Sequence, residues 1–153
     1  WFSNFNDVEK VTMAVFDTYP DGGIMTYRAG TKLVTHSNTA KVYAVEPNGV
    51  LRYIPSPTVA ANLYVANWGA KVQSVIRGYF STSYTLGSDL SDTLPSGSLI
   101  KKGNDYYYLN NGVKRKFASA TVLANNGFNT SNALEVTSVT QYTDGTEIST
   151  VEF

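Results

Sequence analysis

The sequence predicts a mainly β protein with short helices, built from tandem units of strand, Asn-Gly hairpin, short helix and further strand. Three observations predict this class. Two stretches of the chain repeat each other, each holds an Asn-Gly pair between β-type runs, and each continues into a serine-capped helical pattern. With 153 residues, the chain is long enough for one compact domain or two small ones with a real core.

The internal repeat divides the chain into units. Residues 48–62 align with residues 111–125 without a gap and are identical at nine of 15 positions. Unit starts are marked by Gly30-Thr31 and by Gly97-Ser98, 67 residues apart. We therefore predict a complete unit over residues 30–96, a second over residues 97–153, and the tail of a preceding unit over residues 1–29. Because the chain opens at Trp1 and not at Met, we expect a mature or trimmed piece of a larger protein.

Each unit contains a predicted hairpin. Asn48-Gly49 lies between runs 42–46 and 50–54, and Asn111-Gly112 lies between runs 106–109 and 113–117. Asn-Gly tolerates the positive φ angles of tight hairpin turns, so we expect positive φ at both glycines. Pro47 and Asn110 predict loops slightly longer than two residues.

A short helix follows each hairpin. Ser56 supplies an N-cap oxygen and Pro57 a helical φ angle, which predicts a helix from Pro57 to about Tyr64. Ser119 repeats the cap, and the second helix should end at Asn126-Gly127. Helices this short are marginal alone, so their apolar side chains should pack on the hairpins. These side chains are Val59, Leu63, Tyr64, Val122 and Leu123.

A third set of landmarks follows the helices. Residues 72–75 resemble residues 136–139, and Tyr84 to Gly87 resembles Tyr142 to Gly145. Residues 8–11 and Tyr19 to Gly22 supply the same landmarks near the start of the chain. We expect residues 1–29 to dock on the unit that begins at Gly30, with residues 8–11 in a strand equivalent to residues 72–75. The apolar residues concerned are Trp1, Phe2, Phe5, Val8, Val11, Val15, Phe16 and Tyr19.

Composition excludes several classes of protein. Net charge is zero and only 16% of residues are charged, so the chain offers no positive field for nucleic acid or anionic lipid. The absence of Cys excludes disulfides and thiolate metal sites. The sequence has no run of 18 apolar residues and no basic-then-apolar leader, so neither a membrane span nor a signal peptide is predicted in this segment.

The motifs resemble a repeat found in large bacterial secreted and cell-surface proteins. The shared features are a Gly-Thr-Leu-Val start, a Val-Tyr hairpin, a basic residue before an aromatic or Ile and Pro, and a Tyr-Pro-x-Gly end. They correspond here to Gly30-Thr31, Val42-Tyr43, residues 52–55 and residues 19–22. The second unit departs from the pattern at Ala118 and at Thr143-Asp144. The resemblance implies an extracellular, multi-unit structural or adhesive protein, and it carries no catalytic or ligand residues.

Candidate chemistry is sparse. His36, the one histidine, lies in a polar stretch that we interpret as an exposed turn, so no catalytic residue and no enzyme activity are predicted. Asp89 and Asp92 form the nearest carboxylate pair, in a segment typical of a solvated turn, and the second unit offers Glu147 but no second acid at the matching position. We predict no metal site and no cofactor.

Two hypotheses for function remain. A sugar site would use Trp68, Tyr106, Tyr108 and Asn110, although strand alternation puts at least one side of the tyrosine triplet in the core. Lys114-Arg115-Lys116 is interpreted as a solvated sheet face, with Arg52 and Arg115 bridging carbonyls or a carboxylate inside each unit. We expect a non-catalytic structural or adhesive module, extracellular or at the cell surface, or alternatively a carbohydrate-binding module. Expected partners are neighbouring units, with surface glycans or other surface proteins as further candidates. Units stacked as a solenoid and units curled like a propeller both satisfy the repeat.

Overall fold

The computed structural model describes residue 6 and residues 8–65 and 67–153, which form two five-stranded sheets with short helices. The predicted mainly β class with short helices is confirmed. The first sheet consists of β1 (Leu33–His36), β2 (Tyr43–Glu46), β3 (Val50–Tyr53), β4 (Val72–Val75) and β5 (Thr85–Leu86). The second consists of β6 (Leu99–Lys102), β7 (Asp105–Asn110), β8 (Val113–Lys116), β9 (Leu134–Glu135) and β10 (Thr143–Asp144). The helices are α1 (Met13–Phe16), α2 (Pro57–Tyr64), α3 (Arg77–Ser83) and α4 (Ala120–Asn125), with 3-10 turns at Pro47–Gly49, Trp68–Lys71 and Thr130–Asn132.

Both sheets have the same strand order. The first runs β4-β1-β2-β3-β5 and the second β9-β6-β7-β8-β10. In each, the three central strands form an antiparallel meander, and the two outer strands pair in parallel with its edges. Because the outer strands come from the chain after the helix, each meander is closed on both edges by one later stretch.

The hairpin turns have the expected backbone. Gly49 has φ 72° and Gly112 has φ 74°, and the asparagine before each glycine is also left-handed. Glu46 pairs with Val50, so the first loop has three residues and is longer than two, as expected. Asn110 pairs with Val113, which leaves a two-residue loop and makes the expectation of a longer second loop wrong. A two-residue Asn-Gly turn matches strand twist without further residues.

The helices after the hairpins confirm the capping prediction. The hydroxyl oxygen of Ser56 accepts a hydrogen bond from the Val59 amide at 3.2 Å, and that of Ser119 accepts one from Val122 at 3.1 Å. Gly127, with φ 72°, follows the end of α4. Each serine satisfies an otherwise unpaired amide, a contribution of about 1 kcal/mol.

Three apolar cores hold the sheets. The central core lies between the sheets and contains Leu33, Ala44, Ile54, Ala60, Leu63, Tyr64, Leu90, Leu94, Ile100, Leu109, Leu134, Val139 and Tyr142. The first outer core, on the other side of the first sheet, contains Val34, Tyr43, Val45 and Leu51 beneath Phe80 of α3. The second outer core contains Leu99, Tyr108, Phe117, Leu123 and Ile148, with Phe128 packed against it.

Of the residues expected to dock on the first unit, Tyr27 does contact it, through a hydrogen bond from its amide to the Tyr84 hydroxyl, whereas the docking and the strand expected for residues 8–11 are wrong. Val8 and Val11 lie outside strands and are 58% and 47% exposed. The position beside β1 is occupied by β4 itself, so the edge that they would join is already paired. Trp1, Phe2 and Phe5 lie outside the described residues.

Two further differences concern the chain after the helices. In the second sheet the outer strand is Leu134–Glu135, so residues 136–139 are not the strand that their likeness to residues 72–75 suggested. Among the described residues, the two sheets form neither a closed ring nor a longer solenoid. None of the helices described is long and apolar enough to cross a bilayer.

Candidate functional site

The junction between the two sheets is made from unlike faces. The first sheet contributes the face that carries its capped helix, with Leu33 beside Leu63 of α2. The second sheet contributes the opposite face, through Ile100 and Leu109, while its own helix lies in the second outer core. Each of these side chains is at least nine-tenths buried, and burial of this kind contributes roughly 1.5–3 kcal/mol per residue to folding before entropy is subtracted.

The start glycines of the two predicted units touch at this junction. A Cβ at Gly30 would overlap the carbonyl oxygen of Gly97, and a Cβ at Gly97 would overlap the side chain of Ala29. Both glycines also have left-handed backbones, with φ 74° and 88°. Close approach and backbone geometry therefore both require glycine at the two starts.

Just before each start glycine, a backbone amide donates a hydrogen bond to a tyrosine hydroxyl of the same sheet. The amide of Leu94 donates to the Tyr142 hydroxyl at 3.2 Å, and the amide of Tyr27 donates to the Tyr84 hydroxyl at 3.0 Å. Each donor lies three residues before its start glycine. Burial raises the pKa of Tyr84, and the hydrogen bond from Tyr27 opposes that shift. The chain thus enters both sheets by the same contact.

Arg28 ties the segment before Gly30 to the second sheet. Its guanidinium lies over the Phe128 ring, 4.0 Å from the centroid, and donates to the carbonyl oxygens of Gly127 and Asn126, the latter at 3.0 Å. Burial of the Arg28 guanidinium lowers its pKa. A partly desolvated cation over an aromatic ring contributes roughly 0.5–2 kcal/mol.

The repeated arginines have the role that the sequence predicts. Arg52 donates to the carbonyl oxygens of Ser88 and Asp89 and pairs with Glu46 at 3.1 Å. Arg115 donates to the carbonyl oxygen of Thr146 at 2.8 Å and forms a bidentate pair with Glu152. Hydrogen bonding to Glu152 raises the pKa of Arg115. Both side chains hold the returning chain against the third strand of their sheet, so neither is free for a ligand.

The basic run is not the solvated sheet face that we expected. Strand alternation does separate it, since Lys114 and Lys116 lie opposite Leu109 and Tyr107 while Arg115 lies opposite Tyr108. Lys114 is buried, however, and pairs with Asp144 at 2.8 Å. Lys116 pairs with Asp105 at 2.9 Å. Every cation of the run has a carboxylate partner, which leaves no uncompensated patch for a polyanion.

The residues considered for catalysis do not converge. His36 ends β1, half-buried, with its ring 4.5 Å from that of Phe80 and its Nδ1 2.7 Å from the Ser37 carbonyl oxygen, so it does not lie in an exposed turn. Asp89 and Asp92 are exposed in the irregular chain after β5. In the part of the chain that the structure describes, no three His, Asp or Glu side chains are grouped to hold a metal.

The aromatic residues considered for sugar binding are divided between two cores. Trp68 begins a 3-10 turn and packs against the central core, as Tyr107 does. Tyr106 and Tyr108 face the second outer core, where Tyr108 lies 5.6 Å from the Phe128 ring. Asn110 ends β7 at the rim. The four candidates therefore do not form one stacking platform.

Two cavities border the junction. One, of about 230 Å³, has polar walls that include Glu46, Arg52 and Asn111. The other, of about 260 Å³, lies between Pro47 and Phe153 and is also lined by Tyr27, Arg28, Tyr108 and Phe128. The second has the mixed aromatic and polar lining of a small-ligand site, although its volume lies just below the roughly 300–1,000 Å³ that such sites usually have. No local sequence pattern indicates this cavity, because its walls come from both sheets and from the segment before Gly30.

Comparison with protein-family models, with curated proteins and with solved structures finds no match to this chain. Function is therefore inferred from its own residues and from the motifs described above.

Proposed function

We propose that the chain is a non-catalytic structural or adhesive repeat module of a larger extracellular or cell-surface bacterial protein. The observation that carries the proposal is the central core, in which two sheets of the same strand order share one interior through unlike faces. A contact between unlike faces leaves each sheet a second, different face for another neighbour. Such contacts propagate into open arrays, or into rings where the rotation closes.

The interior chemistry of the chain agrees with a structural role. Its conspicuous polar groups, Arg52, Lys114, Arg115 and Lys116, are all engaged in ion pairs within the chain. Arg52 and Glu46 line the polar cavity of about 230 Å³, but their charges are paired with each other there. Location outside the cell is supported by the resemblance of the start, hairpin and Tyr-Pro-x-Gly motifs to bacterial surface repeats.

A carbohydrate-binding module is the second candidate, favoured by the aromatic cavity of about 260 Å³. Aromatic faces stack on sugars, and Arg28 and Asn48 could donate to hydroxyl groups there. Against it, the rings of Tyr108, Phe128 and Phe153 already pack on one another at centroid distances of 4.6–5.6 Å.

A glycan array probed with the labelled full chain separates the two candidates. A structural module should give no signal above background. Repeatable binding to one sugar class, lost in Phe153→Ala, which removes a wall of the aromatic cavity, would favour the carbohydrate-binding module. Antibody labelling of intact, unpermeabilised cells that produce the protein tests its location. Labelling that requires permeabilisation would contradict the extracellular proposal.

A further inference from the structure

Each sheet is closed by one stretch of chain, which we term its closing segment: residues 72–87 for the first sheet and residues 134–145 for the second. The closing segment runs parallel to the first strand of the meander and then parallel to the third. It ends at a glycine, Gly87 or Gly145, whose amide donates to a carbonyl oxygen of the third strand at 2.9 Å. Each sheet thus needs a meander and a closing segment.

Residues 8–22 have the layout of a closing segment without a meander. Val8 to Val11 correspond to β4, and α1 occupies the place that α3 has in the first closing segment. Tyr19 precedes Gly22 by three residues, just as Tyr84 precedes Gly87 and Tyr142 precedes Gly145. Apart from the four-residue α1, residues 8–22 have no regular secondary structure, and their large apolar side chains are exposed.

The three glycines differ in what surrounds them. A Cβ at Gly87 would lie 3.0 Å from the side chains of both Val50 and Arg52, and one at Gly145 would lie 2.6 Å from Val113. Both glycines can lie close against their third strand because they have no side chain, and a Cβ would crowd that strand at either position. Gly22 has nothing within 4 Å of the corresponding position. Gly22 is thus a glycine at the position where the closing segments approach a third strand closely, but no strand lies beside it.

The way residues 8–22 lead into the first sheet also matches the existing junction. Leu94, which follows the first closing segment, donates its amide to the Tyr142 hydroxyl of the second sheet. Tyr27, which follows residues 8–22, donates its amide in the same way to the Tyr84 hydroxyl of the first sheet. Ile24 and Met25 lie against the Tyr84 side of the first sheet, which is the face opposite its capped helix. The second sheet meets the first through its own corresponding face, the one opposite its capped helix.

We propose that residues 8–25 are a docking surface for a three-stranded antiparallel meander of the kind formed by β1, β2 and β3 with α2. The partner is a further unit of this type, supplied by the same polypeptide or by another. The inference rests on the proposed function as a repeat module. By analogy with the pairing of Thr35 with Ser74, Lys10 should lie beside the residue of that meander that corresponds to Thr35.

The experiment adds a copy of residues 30–64 ahead of Trp1 and keeps all 153 residues of the chain. Because the chain has no cysteine, one disulfide can report the register without interference. Thr35→Cys in the added copy is combined with Lys10→Cys in the chain, and the control pair replaces Lys10→Cys by Val11→Cys. Paired Cα atoms in adjacent strands lie within disulfide range, and we expect the first pair to crosslink at least about tenfold faster than the control. Amide exchange at residues 9–11 should slow in the fused chain.

Gly22→Val provides the matched variant. In the unfused chain it should leave the melting temperature unchanged, because Gly22 has open space and no left-handed backbone. In the fused chain it should abolish the crosslinking preference, because a side chain there would collide with the third strand of the added meander. Equal crosslinking of the two cysteine pairs, with unchanged amide exchange, would overturn the proposal. The glycan array and cell labelling use the unfused chain, so a failed docking surface and a failed function are seen separately.

Discussion

Leu123→Ala tests whether the two sheets unfold as one cooperative body. Leu123 is 1% exposed and lies in α4, packed with Leu99, Phe117 and Ile148 in the second outer core. Replacing a buried leucine by alanine costs about 2–5 kcal/mol, from lost transfer free energy and the remaining cavity. The free energy of unfolding of a domain is only about 5–15 kcal/mol, so this loss is readily measured.

The assay follows the first sheet while the second is damaged. The chain has two tryptophans, and in a Trp1→Phe background Trp68 is the only one left. Trp68 packs against the central core and lies on the first sheet's side of the junction. With a urea m-value of about 1–3 kcal/mol/M, a loss of about 3 kcal/mol moves the midpoint of Trp68 fluorescence by about 1–3 M if the sheets unfold together.

Leu86→Ala is the matched control, because Leu86 is 71% exposed and should cost less than about 0.5 kcal/mol. Circular dichroism should give the same midpoint as fluorescence in every variant. If Leu123→Ala leaves the Trp68 midpoint in place while circular dichroism resolves an earlier second transition, the sheets are independent and the shared core does not couple them.

Four further outcomes are expected. Gly112→Val should lower stability by about 1 kcal/mol or more in thermal melts, because its left-handed backbone disfavours a β-branched residue although space is open. Burial raises the pKa of Tyr64, so the stability that its neutral phenol contributes is complete below about pH 10 and is lost as the pH rises further. In an alkaline titration followed by circular dichroism, Tyr64→Phe should therefore have its unfolding midpoint at a higher pH than the unchanged chain. Equal midpoints would contradict this. Phe16→Ser, at a side chain 61% exposed, should change the free energy of unfolding by less than about 0.5 kcal/mol in urea melts. EDTA should leave the melting temperature unchanged, whereas a drop of several degrees would indicate a cation near Asp89.

The parts of the fold that the sequence predicted correctly carry local chemical signals. Ser56-Pro57 specifies the start of α2, and Asn-Gly specifies the hairpin turns, because in each case a few adjacent atoms decide the conformation. Helix α3 was not predicted, since Ile76 provides no capping side chain and the helix contains a glycine. It forms where Phe80 covers the first outer core, a tertiary contact that no local pattern announces.

The junction was beyond prediction for a different reason. Tyr84 and Tyr142 were recognised as repeated landmarks, but the amides that they receive lie 57 and 48 residues away. Gly30 and Gly97 marked the unit starts, although nothing local shows that the two glycines touch each other. The candidate sugar-binding aromatics likewise needed the sheet faces before they could be assigned to different cores.

The loop between the hairpin strands decides which aromatic residues meet the neighbouring sheet. The gapless alignment places Tyr107 at the position of Ala44, yet Ala44 lies opposite Arg52, and it is Tyr108 that lies opposite Arg115. The second loop is one residue shorter, and a shift of one residue turns every side chain of a strand to the other face. The third strand keeps the same side chains on the same face in both sheets, because Arg52 and Arg115 each donate a hydrogen bond from Nε to a carbonyl oxygen of the returning chain. The second strand shifts instead, which puts Tyr107 in the central core and Tyr108 on the helix-bearing face. Sequence identity between the repeats is therefore a guide to the third strand and helix, whereas loop length determines what each unit presents to its neighbour.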